Sequence, residues 1–174
     1  MKAVAIVAFI LLPIIGISQQ SRDVGIDSAL VRNSDLVALV KIQDVTNDKI
    51  YLKLKMLFKG ACVSENELVL SHNDFNENFS HNTEYLLFAK ADNNCHLYFD
   101  NESRLIEKAQ GEQDVDFLLT ILPCSDVKVK ERFKGTPCHR NLGPVCGCDG
   151  IVYGNVCEAR NAGIQIFKIG RCNQ

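Results

Sequence analysis

The sequence predicts a mainly β chain with short helices, a small Greek-key barrel followed by a disulfide-rich α+β module. Two observations carry this. Apolar residues in the first two thirds alternate with polar ones in short runs, and the cysteines are unevenly placed. Six of the eight lie between Cys124 and Cys172, and the other two are Cys62 and Cys95. Two unlike folded parts in one chain of 174 residues explain that asymmetry.

The barrel elements follow from periodicity. Leu36 to Ile42 is a nearly continuous apolar run and reads as a buried strand. Ile50, Leu52, Leu54, Met56 and Phe58 alternate with period two, and Lys59-Gly60 closes that strand. Glu67 to Ser71, Tyr85 to Ala89 and His96 to Phe99 complete a set of five strands. Between the third and fourth, 73–82 is rich in Asn, Asp and Ser and reads as a loop. Asp114 to Leu122 reads as a helix with Val115, Leu118, Leu119 and Leu122 on one apolar face. Pro123 stops it and marks the boundary between a domain over 19–123 and one over 124–174. Five short strands and a terminal helix in about 100 residues suit a small Greek-key barrel.

The N-terminus sets the expected compartment. Lys2 is followed by an apolar stretch from Ala3 to Ile17, then small residues, which is the layout of a secretory signal peptide over 1–18 cleaved between Ser18 and Gln19. The apolar run is short for a membrane span, and no later segment is apolar enough for one. The mature chain is therefore expected to be secreted or periplasmic, without stable membrane insertion, in a compartment where disulfides persist. There, Cys62 and Cys95 are expected to pair.

Composition excludes several functions. Charged residues make up 23% and the formal net charge is −2, which gives no electrostatic basis for binding nucleic acid. No Ser/His/Asp or Cys/His constellation, phosphate loop or acid pair is legible, so neither enzymatic activity nor a cofactor is expected. His72, His81 and His96, with Asp74 and Glu77 nearby, match no metal-ligand spacing and read as surface residues. Lys128, Lys130, Arg132 and Lys134 read as a solvated basic arm. Asn78-Phe79-Ser80 and Asn101-Glu102-Ser103 are glycosylation sequons, relevant in a eukaryotic host.

The six C-terminal cysteines read as a disulfide framework, and six cysteines allow 15 pairings. Cys146-Gly147-Cys148 is too tightly spaced for a zinc knuckle. Asp149-Gly150 before Ile151-Val152 signals a hairpin turn. Asn155 with Glu158 three residues on signals a helix start, with the helix running from Val156 to Ala162 and ending at Gly163. Ile164 to Ile169 then reads as a returning strand.

Cys138, seven residues, Cys146, six residues, Tyr153, three residues, Cys157 is a distinctive spacing. With Pro144-Val145-Cys146-Gly147, Asp149-Gly150, Tyr153-Gly154-Asn155, Cys157-Glu158-Ala159-Arg160-Asn161-Ala162-Gly163 and Gly170-Arg171-Cys172, it resembles Kazal-type serine protease inhibitor domains over 124–172. One position departs from the usual pattern. Arg160 stands where the family has a cysteine, and Cys148 is the additional one, as in a Cys-Gly-Cys variant. The resemblance implies bridges Cys138–Cys157 and Cys146–Cys172, with Cys124–Cys148 as a relocated third. It also implies a reactive loop of Cys138, His139, Arg140, Asn141, Leu142 and Gly143, with Arg140 entering the primary specificity pocket (P1) of a trypsin-like serine protease. Asn155 would brace the loop.

The first part resembles the netrin-like and tissue-inhibitor-of-metalloproteinase OB fold. The matching pieces are Ser34 to Val40, Leu57-Phe58-Lys59-Gly60, Thr83 to Ala89 and Asp114 to Leu118. Inhibitors of that fold chelate a catalytic zinc with an N-terminal cysteine, and residues from Gln19 onward offer none nearby, so metalloprotease inhibition does not carry over. The competing expectation is a non-inhibitory extracellular interaction module acting through 19–123 and indifferent to Arg140.

Overall fold

Five strands close on themselves in the first part of the chain. The computed structural model describes residues 26–46, 48–63, 65–72, 80, 83–108, 112–139 and 143–172. The expected signal peptide, His81, Asp74, Glu77, most of the first sequon, and Arg140, Asn141 and Leu142 lie outside the described residues.

After a short helix α1 (Ser28–Asn33), the chain runs through β1 (Leu36–Val45), β2 (Lys49–Lys59), β3 (Glu67–His72), β4 (Glu84–Ala91) and β5 (Leu97–Phe99). β1 pairs antiparallel with both β2 and β4, β2 with β3, and β4 with β5, while β3 and β5 run parallel. The ring order is β1-β2-β3-β5-β4, which fits an OB-like barrel. A further strand β6 (Arg104–Glu107) lies on β4, and α2 (Glu112–Ile121) follows.

β1 is buried on both faces, which is why its sequence is nearly continuous in apolar residues. Leu36, Ala38, Val40 and Ile42 enter one core cluster with Ile50, Leu52, Leu54, Leu70 and Leu87. Val37 and Leu39 enter a second cluster with Val31, Phe58, Leu86, Phe88 and Leu118. The helical face of α2 differs from the expected one. Val115, Phe117, Leu118 and Leu122 pack inward, whereas Leu119 is exposed.

The period-two reading of β2 needs a second correction. Ile50, Leu52 and Leu54 point into the barrel, but the next residue to do so is Leu57. Opposite β1, Val40 faces Leu54 and Leu39 faces Met56, so Lys55 is an extra residue on β2. This bulge shifts the phase so that Leu57 points inward and Phe58 joins the second cluster, and a second irregularity leaves Phe58 without a register partner between Leu57 and Lys59. Lys59, at the end of β2, donates from Nζ to the carbonyls of Val31, Arg32 and Ser34 at 3.0, 3.0 and 2.6 Å, closing the C-terminus of α1.

The C-terminal segment adds to the same sheet. Helix α3 (Val127–Phe133) leads to a hairpin of β7 (Val145–Gly147) and β8 (Val152–Tyr153), then α4 (Val156–Asn161) and β9 (Phe167–Ile169). β3 is only six residues long and leaves the far half of the eleven-residue β2 uncovered. β9 takes that edge, pairing Lys168 with Met56 and Phe167 with Leu57, and β7 pairs with β9 in turn. Val145, Val156, Ala159, Ile164 and Phe167 belong to the same apolar cluster as the barrel interior. The returning strand is shorter than expected, because Ile164 makes only an isolated bridge to Ser125. The basic stretch is helix α3, capped by Asp126 and held by buried Val129 and Phe133, with its lysines exposed.

Candidate functional site

Helix α4 and the hairpin hold both flanks of the segment that the sequence singles out. Four disulfides are present: Cys62–Cys95, Cys124–Cys148, Cys138–Cys157 and Cys146–Cys172. The last three lie wholly within the C-terminal segment, with Cα–Cα distances of 5.6, 5.6 and 4.9 Å.

Asn155 adopts an extended conformation at the N-cap of α4, where its Oδ1 accepts from the Glu158 amide at 2.9 Å. Its Nδ2 donates across the chain to the His139 carbonyl at 3.0 Å. Glu158 reaches back to the amide of Gly154, one residue beyond the N-cap, rather than closing the reciprocal box on Asn155. Cys157, in the first turn of α4, ties down Cys138. At the other end of the helix, Asn161 Nδ2 donates to the Thr136 carbonyl at 3.0 Å.

The far flank is held by main chain. The Gly143 amide donates to the Gly154 carbonyl at 3.1 Å, and the Gly170 amide to the Pro144 carbonyl at 2.8 Å. Cys146 sits in β7 and is bridged to Cys172. His139 is exposed at one margin and Gly143 is half-buried at the other. Residues 138, 139 and 143 therefore take their positions from α4 and its N-terminal turn.

The hairpin turn at Asp149-Gly150 is fastened by a side-chain pair. Gly150 has a positive φ of 79°, and the Gly147 amide donates to the Ile151 carbonyl. Tyr153 Oη donates to Asp149 Oδ2 at 2.7 Å. Burial, with the hydrogen bond and the charge of Asp149, pushes the Tyr153 phenol up to about 12. The folded protein thus keeps a proton that an unfolded tyrosine loses near 10. The stabilisation is full below about pH 10 and declines as pH rises toward 12. An absorbance titration of the phenols should show a component with a midpoint near 12 that Tyr153→Phe removes.

Arg160 is the residue whose role the sequence reading did not reach. Its side chain is fully buried. Nε donates to the Val63 carbonyl at 3.1 Å and Nη1 to the Ile164 carbonyl at 3.3 Å, while Nη2 donates to the Gly60 carbonyl. The guanidinium lies 5.3 Å from the ring centre of Phe167 and 5.9 Å from that of Phe133. Burial pushes it down to about 9, opposed by the charge of Asp126, so it stays cationic at neutral pH. Its barrel acceptors lie in the 60–63 turn, where Gly60 has a φ of 148° and an added Cβ would lie 2.9 Å from Leu36 Cδ1. The Cys62–Cys95 bridge holds that turn, and Arg132 of α3 donates to Cys95 Sγ. No local pattern announces such a site, because its barrel acceptors are main-chain carbonyls about a hundred positions away.

His96 is exposed and lies 3.0 Å from Asp92, and the other described histidine in the barrel part, His72, ends β3. Among the described residues no group of His, Cys, Asp and Glu could hold a metal ion, and no helix is long and apolar enough to cross a membrane. Four disulfides are compatible with an extracellular protein. No protein-family model matches the chain, and no curated protein is significantly similar to it.

Proposed function

We propose that the chain is a secreted serine protease inhibitor whose segment from Cys138 to Gly143 enters a trypsin-like active site as a substrate would. The observation that carries this reading is the two-sided fastening of that segment. Cys138–Cys157 and the Asn155–His139 hydrogen bond hold one flank, and the Gly143–Gly154 hydrogen bond and Cys146–Cys172 hold the other. Flanks held in place before binding lose little further entropy on binding. If the bond after P1 is cut, the same ties keep the new ends together.

In this reading residues 124–174 are a Kazal-like module and the barrel is netrin-like. Arg140 is P1, the scissile bond is Arg140–Asn141, and His139, Leu142 and Gly143 occupy P2, P2′ and P3′. A guanidinium suits a deep pocket closed by a carboxylate, because the pair is charge-assisted and bidentate. A pocket lacking that carboxylate would bury an unpaired cation.

Titrating trypsin with the mature protein should give one-to-one inhibition. Arg140→Ala should weaken it by about a thousandfold or more, the roughly 4 kcal/mol that a buried arginine anchor contributes. Absence of inhibition by the wild type, or equal inhibition by both proteins, would contradict the proposal. Equal inhibition would leave capture of partners through the barrel as the better reading.

A further inference from the structure

We propose that Arg160 is a positioning residue for Cys138, His139 and Gly143, the two flanks of the segment from Cys138 to Gly143, tying helix α4 to the barrel through the carbonyls of Gly60 and Val63. The inference rests on the inhibitor reading for its functional meaning, and its structural part stands apart from it.

Helix α4 is six residues long and carries the fastenings of that segment on its own short frame: Asn155 at its cap, Cys157 in its first turn and Asn161 at its end. A helix this short has no independent stability and takes its position from what it packs on. The three disulfides of the C-terminal segment are all internal to it, so none fastens α4 to the barrel. Arg160 supplies that link. It is the fifth residue of α4, it is fully buried, and two of its three hydrogen bonds end on the barrel's 60–63 turn. The planar fork suits three carbonyls in different directions, and the rings of Phe133 and Phe167 keep water from it. Phe133 ends α3, the helix that leads into Cys138, so the same side chain meets the helix preceding the segment as well as the barrel.

This arrangement makes the barrel part of the frame. The turn that receives Arg160 is fixed by the Cys62–Cys95 bridge, which lies outside the C-terminal segment. Loosening that turn should therefore loosen the Gly143–Gly154 hydrogen bond at the other end of the linkage.

The test is amide exchange of the Gly143 N–H, followed by NMR in the full-length oxidised protein. Arg160→Met should raise its rate at least tenfold relative to wild type, and Arg160→Lys should rise less. Leu118→Ala opens a cavity in the other core cluster and serves as the control for general destabilisation. It should leave the Gly143 rate near that of the wild type. Cys62→Ser with Cys95→Ser leaves α4 itself unchanged, removing the bridge and the sulfur to which Arg132 donates, and should raise Gly143 exchange in the same direction; it carries the test if Arg160→Met does not fold. Unchanged exchange in both variants, or an equal rise in Leu118→Ala, would overturn the role of Arg160. Trypsin titration of the wild type separates the two claims. Raised exchange without inhibition removes the inhibitor reading alone, and inhibition with unchanged exchange removes the positioning role alone.

Discussion

If the chain inhibits trypsin as proposed, replacing both cysteines of the Cys138–Cys157 bridge by serine is expected to turn it into a substrate. The bridge closes a loop of 19 residues, for which the chain-entropy contribution is about 3 kcal/mol. The remaining fastening of that flank is the hydrogen bond from Asn155 to the His139 carbonyl, worth roughly 1 kcal/mol. Loss of the larger restraint frees the segment to leave the conformation in which its ends stay together. If the full 3 kcal/mol is lost from the resistant state, cleavage should accelerate by about two orders of magnitude. A time course of intact mass with catalytic trypsin reads this directly. An unchanged half-life would show that the bridge does not protect the bond.

Arg160→Ala is expected to destabilise the folded chain by about 4 kcal/mol, among the largest effects of any single side chain. Truncation leaves the carbonyls of Gly60, Val63 and Ile164 without their donor and opens a cavity between Phe133 and Phe167. Relief of the desolvated cation offsets part of the cost, which is why the expectation is not larger. Arg160→Met fills most of the volume but leaves the carbonyls unpaired, so it should lose about half as much. Urea unfolding should show the shift as a lower midpoint at constant slope. A change within about 1 kcal/mol for the alanine variant would mean that water reaches the three carbonyls.

The Cys138–Cys157 bridge and Arg160 mark the limits of what sequence conveys. Alternation along β2 and the apolar run of β1 are local signals, so the strands of the barrel were legible. The Lys55 bulge was not, because a phase shift is set by the pairing with β1 rather than by β2 itself. Helix α3 was hidden because its apolar contribution is only Val129 and Phe133, set among four exposed cations. Helix α1 and β6 are short enough that tertiary packing, not propensity, decides them. The C-terminal half-cystines announce themselves by spacing, and the pairs present in the structure coincide with those the resemblance implies. At Arg160 the sequence registered only a cysteine that was missing. The carbonyls that receive its guanidinium carry no residue identity, so only the folded structure brings them into view.

The most direct test of the inhibitor reading is the site of the first cut made by trypsin during long incubation with the mature, oxidised protein. The expected product is a single species about one water heavier, with the two ends still joined under non-reducing conditions. On reduction it should separate at Arg140–Asn141. A first cut at another lysine or arginine, or rapid digestion without inhibition, would contradict the account.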